Sequence, residues 1–319
     1  MSIEANLKDK RVTVIGGSGF VGRYIVRRLA KAGAVIRVAV RDVERAGFLR
    51  MSGEVGQVVP VVADVTRPAS LSAATEGADV VINLVGILYP SGNNSFRSAQ
   101  ALGAAAAAKA AKEAGATQFI QVSAIGANAK SKAKYAKTKA EGEAGVLEAF
   151  PEATILRPSI VFGAEDGFFN MFAKLAKLTP ILPLIGGGQT KFQPVSVHDV
   201  AEAVFQSVVR EDVQGKTFEL GGPNVYTFKE LIEFTLKTTG RSRLLVPIPW
   251  VAAKIKAAFL QILPKPPLTV DQVELLKTDN VVADGALTLA DLDINDPEII
   301  EIEVPKYIMR YARRGVSKQ

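Results

Sequence analysis

Two residues that can handle a proton stand four positions apart in the stretch SKAKYAKTK, which runs from Ser131 to Lys139. On a helix, Tyr135 and Lys139 would share one face, where the lysine charge favours the phenolate. To act at neutral pH, the pKa of the phenol must fall from about 10 toward about 7, roughly 4 kcal/mol, which one cation does not easily supply. The spacing alone favours a solvated helix face, because four further lysines surround the pair: Lys130, Lys132, Lys134 and Lys137.

A glycine-rich loop, GGSGFVG, offers a second kind of chemistry. It follows a predicted strand, precedes a predicted helix, and can be read as G-x-G-x-x-G or as G-x-x-G-x-x-G. Glycines let the backbone approach a pyrophosphate, and the helix N-terminus offers free N–H groups to it. A plain strand-to-helix turn is the alternative, but this context favours dinucleotide binding. The expected contacts are Gly16, Ser18, Gly19, Phe20, Val21 and Gly22.

The residue after the second predicted strand discriminates between the two dinucleotides. An acidic side chain there would bond the ribose 2′-hydroxyl of NAD, whereas an arginine matches the 2′-phosphate of NADP. Arg41 stands first after the strand VIRVAV, and Asp42 stands second. We therefore expect NADP(H), with Asp42 capping the next turn. The alternative is NAD(H) bound through Asp42, with Arg41 at the surface.

Two more segments follow predicted strands and are candidates for the same nucleotide cleft. Asp64 and Val65 come after the third strand, where a side chain and backbone could meet the adenine. The segment NLVG ends the fourth strand with Leu84, Val85 and Gly86. Simple sheet packing would explain NLVG equally well, but its place at the carboxyl edge of the sheet favours binding.

The strands that must position these residues are rich in valine and isoleucine. They are predicted at residues 11–15, 35–40, 58–63, 79–85, 118–122 and 153–156, with helical stretches between them. Runs that are apolar along their whole length fit a parallel sheet covered on both faces. The pattern predicts an α/β fold, a Rossmann-type doubly wound parallel sheet with a smaller, irregular C-terminal lobe.

The domain organisation follows from where this regularity weakens. We predict an NADP(H)-binding domain over residues 1–164 and a smaller lobe over residues 165–319. A helix and a strand near residues 195–220 are expected to return to the first domain.

Several motifs resemble the extended and atypical short-chain dehydrogenases/reductases. In chain order they are GGSGFVG, Arg41, ADV, DVVINLVG, VSAIGA, SKAKYAKTKAEGE and ILRPSIVFG. Within that superfamily the chain is similar to the nucleotide-binding accessory subunit of respiratory complex I and its bacterial relatives. The segments closest to that group are YAKTKAEGE, FPEATILRPSIVFGAEDGFFN, QPVSVHDVAEAV, GKTFELGGP and LTVDQVELLKTDNVV.

This resemblance implies roles for individual residues. Tyr135 would be the acid/base, and Lys139 would hold the nicotinamide ribose. We also expect Pro158 and Ile160, in ILRPSIVFG, among the cofactor contacts. The superfamily usually has a second hydroxyl residue where this chain has Ala124, and Ser123 points to the opposite side if the chain is extended. Without that hydroxyl, a substrate carbonyl loses a positioned hydrogen bond, which costs about 2–4 kcal/mol in the transition state. We therefore expect little or no turnover.

The resemblance also implies partners and a location. The partners would be other complex I subunits, with peripheral contact to membrane lipid. The location would be the cytoplasmic side of the inner membrane in a bacterium, or the matrix side in a mitochondrion. The N-terminus does not read as a secretory signal, and no apolar run reaches spanning length.

The composition excludes several classes of function. The 319 residues include no cysteine and one histidine, so we expect no metal site. The net charge is +7, but the aromatic residues do not interleave with the lysines, so we expect no nucleic-acid partner.

Two C-terminal segments could meet a partner. WVAAKIKAAFLQIL carries Val251, Ile255, Ala258 and Ile262 at helical spacing. Such a stripe is usually core, and docking on a partner or a membrane is the alternative. The basic tail YARRGVSK could meet acidic lipid or protein, or be disordered.

Overall fold

The computed structural model describes residues 7–92, 94–264 and 266–313. The chain forms two compact units. The first unit runs to Pro158 and includes His198–Leu220 and Asp284–Asn295, and the second holds the remainder. The domain boundary between residues 164 and 165 stays a prediction.

The strands in chain order are β1 (Arg11–Ile15), β2 (Val35–Val40), β3 (Val58–Val62), β4 (Val80–Asn83), β5 (Gln118–Val122), β6 (Thr154–Pro158), β7 (Val161–Phe162), β8 (Ile181–Ile185), β9 (Lys191–Phe192), β10 (Val195–Ser196), β11 (Thr217–Leu220), β12 (Tyr226–Thr227) and β13 (Leu244–Ile248). The helices are α1 (Phe20–Lys31), α2 (Pro68–Thr75), α3 (Gly103–Glu113), α4 (Lys134–Ala149), α5 (Phe169–Leu178), α6 (Val197–Val209), α7 (Phe228–Thr238), α8 (Trp250–Leu260), α9 (Val270–Leu275) and α10 (Ile300–Ile308).

The first unit is built on a parallel sheet with the strand order β11-β6-β5-β4-β1-β2-β3. All of its strand pairs are parallel. The order reverses direction between β1 and β4, so the carboxyl ends of these two strands flank the crevice where such sheets bind ligands. This topology confirms the predicted doubly wound α/β fold.

Small side chains hold α4 close to α3 and to the helical turn at Arg97–Leu102 that precedes α3. A Cβ added at Gly142 would lie 2.2 Å from the carbonyl oxygen of Gln100, and one added at Gly145 would lie 2.8 Å from Cβ of Ala105. The facing side of α3 is alanine, which packs into a cluster with Phe119, Phe150 and Ile155. Interiors this dense leave a helix little freedom, so the position of α4 is well fixed.

The second unit has a different core and only short sheets. Its described strands pair in twos, β7 with β10, β8 with β13 and β9 with β12. Aromatic rings fill its main cluster, including Phe162, Phe169, Phe172, Phe192 and Phe228. No helix in the described part of the chain has the length and apolar character that crossing a membrane requires.

The stripe on α8 is not core, so that sequence interpretation is wrong. Val251 and Ile255 are 71% and 57% exposed, and Ile262, just beyond the helix, is 80% exposed. The buried face of the helix consists of Ala253 and Ala257. Periodicity identified a helix with an apolar side but did not say which side faces inward. The basic tail beyond Arg313 lies outside the described residues.

Candidate nucleotide-binding site

The glycine loop makes a tight turn between β1 and α1. Gly16 has φ +82°, a conformation that favours glycine, and its N–H donates to the carbonyl of Ala39 at 2.9 Å. The N–H of Gly19 donates back to the carbonyl of Gly16 at 3.2 Å. A Cβ on Gly22 would lie 2.6 Å from Cα of Gly17, so the first turn of α1 sits directly on the loop.

The N-terminus of α1 is left open by its sequence. Gly19 is the N-cap, so no side chain caps the helix, and the first turn contains no acidic residue. The first N–H groups of a helix have no partner inside it, and the helix dipole adds a partial positive charge there. Gly19 is exposed, while Ser18, Phe20 and Val21 are half-buried. This end of α1 can therefore receive an anionic group such as a pyrophosphate.

Arg41 is exposed and lies directly after β2, at the position that would contact the 2′-phosphate of NADP. Asp42 caps the next turn as predicted, since its carboxylate accepts the N–H of Arg45 at 3.1 Å. Near Arg41, Asp64 accepts the N–H and hydroxyl of Thr66 at 2.9 and 2.8 Å. Burial alone would raise the pKa of Asp64, but these hydrogen bonds and the charges of Arg41 and Arg67 lower it below the usual value. Arg41 thus stands in a polar corner beside an ionised carboxylate.

The end of β4 closes the other side of the loop. The N–H of Leu84 donates to the carbonyl of Ile15 at 3.0 Å, which holds the segment against β1. A Cβ added at Gly16 would lie 3.3 Å from Cγ2 of Val85, so these two residues are neighbours. Val65 is buried in the core cluster, which leaves its backbone as the part available for binding.

Tyr135 and Lys139 both lie on α4, as the spacing predicts. Lys139 is 6% exposed, and its Nζ donates to the carbonyl of Val122 at 3.3 Å. The same Nζ lies 6.0 Å from the ring centre of Tyr135. A Cβ added at Gly86 would lie 3.2 Å from it, which places the amine at the end of β4. The lysine is therefore not on a solvated face, although its neighbour Lys137 is exposed.

The electrostatics of the pair do not favour a phenolate. Burial raises the pKa of Tyr135 to about 12, so the phenol keeps its proton at neutral pH. Burial lowers the pKa of Lys139 to about 8, and the carboxylate of Glu143 opposes part of that shift. At neutral pH the amine is mostly charged, but it holds that charge at a cost in free energy.

Ser123 lies at the end of β5 and is 5% exposed. Its N–H pairs with the carbonyl of Leu156 at 2.7 Å, yet its hydroxyl oxygen has no partner among the described residues. Ala124 is half-buried beside it, and Pro158 accepts the N–H of Ile125 at 3.0 Å. Ile160 belongs to the second unit, where it packs beside the phenylalanine cluster.

These features fit a dinucleotide. The turn at Gly16 and the uncapped end of α1 would receive the pyrophosphate, and Lys139 has a free donor for ribose hydroxyls. The orphaned hydroxyl of Ser123 is the kind of buried polar atom that a bound group satisfies.

Comparison with known proteins agrees with this geometry. A family model described as NAD(P)H-binding matches residues 16–211. The subunit NADH dehydrogenase (ubiquinone) 1 alpha subcomplex subunit 9 of Arabidopsis thaliana is 40% identical over 95% of this chain and 78% of its own length. The 40 kDa subunit of NADH-ubiquinone oxidoreductase from Neurospora crassa is 35% identical over 92% of this chain and 78% of its own length.

The chain belongs to the NAD(P)H-binding family that contains these subunits. The family also extends to enzymes, because the ceramide reductase of Caulobacter vibrioides is 32% identical over 75% of this chain and 73% of its own length. Among solved structures, the Citrobacter triphenylmethane reductase complexed with NADP(H) superposes with a TM-score of 0.71 at 19% identity, covering 95% of this chain and 100% of that one. That similarity concerns the fold.

Sequence reasoning missed a charged cluster that supports α4, the helix of Tyr135 and Lys139. Arg157 on β6 donates from Nε and Nη2 to the carboxylate of Glu143 at 3.0 and 2.6 Å. Its Nη1 reaches Glu219 on β11 at 3.4 Å. Glu143 follows Lys139 by four positions on α4, a spacing that could have revealed it as part of the same face.

A second missed residue is Gln100, which is buried next to α4. Its Oε1 accepts the hydroxyl of Thr138 at 2.9 Å, and its Nε2 donates to the carbonyl of Ile87 at 2.9 Å. It therefore ties the helix of Lys139 to the segment that follows β4.

Replacing Lys139 by methionine should stabilise the protein at pH 7 and weaken nucleotide binding. Removing a buried amine whose pKa is about 8 rather than 10.5 relieves roughly 3 kcal/mol. Between those two pH values the unfolded chain binds more protons than the folded one, so the wild type gains stability as pH rises. The advantage of the variant, measured by urea unfolding, should be largest below pH 8 and vanish toward pH 10.5.

The control is Lys137→Met, which changes an exposed lysine on the same helix and should alter neither property. A Lys139→Met variant that is less stable at pH 7 contradicts the stability cost of the buried amine, and one that binds nucleotide as well as wild type contradicts a binding role for it.

Proposed function

We propose that this protein is an NADP(H)-binding accessory subunit of respiratory complex I, which holds the nucleotide as a structural group and turns over little or no substrate. The observation that carries the proposal is the buried Lys139 amine between the end of β4 and the carbonyl of Val122. A lysine held there at a cost in stability is explained by a ligand that it binds. When bound, the nucleotide would supply hydride chemistry to a substrate.

Three features support a structural rather than a catalytic role. Ala124 stands where the resembled superfamily has a hydroxyl. The pKa of Tyr135, raised to about 12 by burial, opposes proton transfer at neutral pH. Three relatives that are 34–40% identical to this chain are named as subunits of NADH dehydrogenase or NADH-ubiquinone oxidoreductase rather than as free enzymes.

The choice of NADP(H) over NAD(H) rests on the two residues after β2. The carboxylate of Asp42 is engaged with the N–H and side chain of Arg45. Arg41 makes no hydrogen bond or ion pair within the described part of the chain, and its planar fork matches phosphate oxygens.

Arg41→Ala should weaken NADPH binding by about 10- to 150-fold, the loss expected for hydrogen bonds to a charged group. NADH binding should stay within about twofold, because NADH has no 2′-phosphate for the guanidinium to contact. Isothermal titration of both nucleotides checks this, with Arg50→Ala as the control for removing an exposed arginine from the same unit. Equal losses for the two nucleotides would show that Arg41 does not read the phosphate.

Membership in complex I also implies a place in the cell. We propose a peripheral position with contact to membrane lipid, on the cytoplasmic side of the inner membrane in a bacterium or the matrix side in a mitochondrion. The deciding experiment is native purification from membranes of the source cell, with mass spectrometry of the released nucleotide and of the co-purifying proteins. We expect NADP(H) and NADH dehydrogenase subunits, and a protein that purifies alone contradicts the assignment.

A second candidate is a free NADP-dependent reductase, epimerase or dehydratase. The buried hydroxyl of Ser123 favours it, because a donor with no protein partner is available to a substrate oxygen. The similarity to ceramide reductase points the same way. Single-turnover mixing with NADPH and a panel of aldehydes, ketones and nucleotide sugars distinguishes the candidates. A turnover at ordinary enzymatic rates that Ser123→Ala abolishes would establish the enzyme.

A further inference from the structure

The helix α8 in the second unit is packed the opposite way from an ordinary surface helix. Its buried side consists of Ala253 and Ala257. Its exposed side carries larger apolar residues: Val251 is 71%, Ile255 is 57% and Phe259 is 72% exposed. A surface helix normally turns such residues toward the core and its polar residues toward water. We call these three residues, together with Ile262 and Leu263, the α8 stripe.

A basic cavity of about 620 Å³ lies in the same unit. Four cationic side chains line it, Lys229, Lys237, Arg241 and Arg243, against one carboxylate, that of Glu233. The carboxylate lies 3.6 Å from Lys229 with both side chains half exposed, so it offsets little of the charge.

The two arginines of the cavity are held in place by backbone carbonyls. Arg241 donates from Nε and Nη2 to the carbonyl of Tyr311 at 3.1 and 2.9 Å. Arg243 donates from Nε to the carbonyl of Ala176 at 2.7 Å. These contacts orient the guanidinium groups without neutralising them, so the cavity presents a fixed positive field.

The cavity and the α8 stripe are neighbours. Gly187 lines the cavity, and a Cβ on the preceding Gly186 would lie 2.1 Å from the indole of Trp250, the first residue of α8. On the other side, Pro247 of β13 lines the cavity three residues before that helix begins. An apolar helix face therefore starts beside a cluster of cations.

We propose that this part of the second unit docks on a membrane surface rich in acidic phospholipid. The α8 stripe lies in the boundary between headgroups and acyl chains, and the basic cavity receives an acidic headgroup. This deepens the peripheral placement proposed above and relies on it for the presence of a membrane.

The chemistry favours a bilayer over other occupants. Apolar side chains beside lysines and arginines are the combination with which interfacial helices bind acidic membranes. A helix of 11 residues is too short to cross a bilayer, so it lies in the interface. A soluble phosphate compound would explain the cavity but leave the stripe exposed, and an apolar protein surface would leave the cations unmatched.

Co-sedimentation of the purified full-length chain with vesicles tests this inference. We expect binding to phosphatidylcholine vesicles that contain phosphatidylglycerol, weakening as salt is added, and no binding to pure phosphatidylcholine. The pair Lys229→Gln and Lys237→Gln should lower the affinity by roughly 25-fold, since each lysine near an acidic surface contributes roughly fivefold. The pair Ile255→Ser and Phe259→Ser should lower it by roughly tenfold or more.

Matched controls are Lys31→Gln and Val55→Ser, an exposed lysine and an exposed valine of the first unit, which should bind vesicles as wild type does. Equal binding to both kinds of vesicle, or a cavity variant with undiminished binding, overturns the inference. The inference is also overturned if glycerol phosphate raises the melting temperature of the protein while vesicles fail to bind it, because that result identifies a site for a soluble anion. NADPH binding is measured on the same variants and should be unchanged, so a failure of the nucleotide assignment is seen separately.

Discussion

Replacing Gly22 by alanine should weaken NADP(H) binding by a factor of roughly 100 or more and lower the melting temperature. The added methyl group would lie 2.6 and 2.7 Å from Cα and the carbonyl carbon of Gly17, and both of these atoms belong to the backbone. Neither can rotate away, so the glycine loop or the first turn of α1 must shift. Overpacking of this kind costs about 1–3 kcal/mol of stability.

The loss of binding should exceed the loss of stability, because the shift moves the groups that face the pyrophosphate. Hydrogen bonds from N–H groups to a charged ligand contribute about 1.5–3 kcal/mol each, and misaligning two of them lowers the affinity by a factor of roughly 100 or more. Isothermal titration calorimetry with NADPH measures the binding, and circular dichroism checks that the variant is folded.

Gly47→Ala is the matched control for the Gly22 variant. No heavy atom lies within 4 Å of a Cβ added at Gly47, so this change should leave binding unaltered. If NADPH protects the Gly22→Ala protein against heat as strongly as it protects wild type, the glycine loop is not the pyrophosphate site.

The strands of the first unit could be predicted because each carries its own signal. Short apolar runs predicted β1, β2 and β5 with the bounds that the structure has. The fourth strand was predicted to run to residue 85, yet it ends at Asn83. The side chain of Asn83 explains the difference, since it pairs with Gln121 at 2.9 Å and accepts the N–H of Val85 at 3.2 Å. An apolar pattern does not reveal such a local turn.

The candidate site could be predicted only in part, because the sequence shows local motifs but not which residues are buried by distant elements. The glycine loop, Arg41 and the Tyr–Lys pair are local motifs whose spacing carries their meaning. Whether Lys139 is buried depends on α3 and β5, which lie far from it in the sequence. On spacing alone a solvated helix face was favoured for Tyr135 and Lys139, and the packing of α4 reverses that preference for Lys139.

The largest loss of stability is expected from Arg157→Met. The guanidinium joins three elements through Glu143 on α4 and Glu219 on β11, and these two side chains are only 9% and 11% exposed. Removing the cation leaves two carboxylates in a poorly solvated place, which typically costs about 3–5 kcal/mol. For a protein of this size that corresponds to a fall of roughly 10 °C in melting temperature.

The matched control is Arg210→Met, because Arg210 also pairs with two carboxylates, Asp212 and Asp293, which are 58% and 74% exposed. Exposed ion pairs contribute about 0–1 kcal/mol, so this variant should melt close to wild type. Adding Glu143→Gln and Glu219→Gln to Arg157→Met should restore at least half of the lost stability, since the cost comes from unpaired charge. If Arg157→Met melts like Arg210→Met, the cluster is no stronger than a surface pair.

The same variant tests whether the cluster positions the nucleotide site. Arg157 fixes Glu143, which lies one helical turn from Lys139 and attracts its ammonium. Without that anchor α4 is free to shift against β6, so NADPH affinity should fall even at temperatures where the variant is fully folded. Restoring stability with the two glutamines should therefore not restore affinity in full, because no charge then holds the helix in register. Full recovery of affinity together with stability would limit Arg157 to a role in folding.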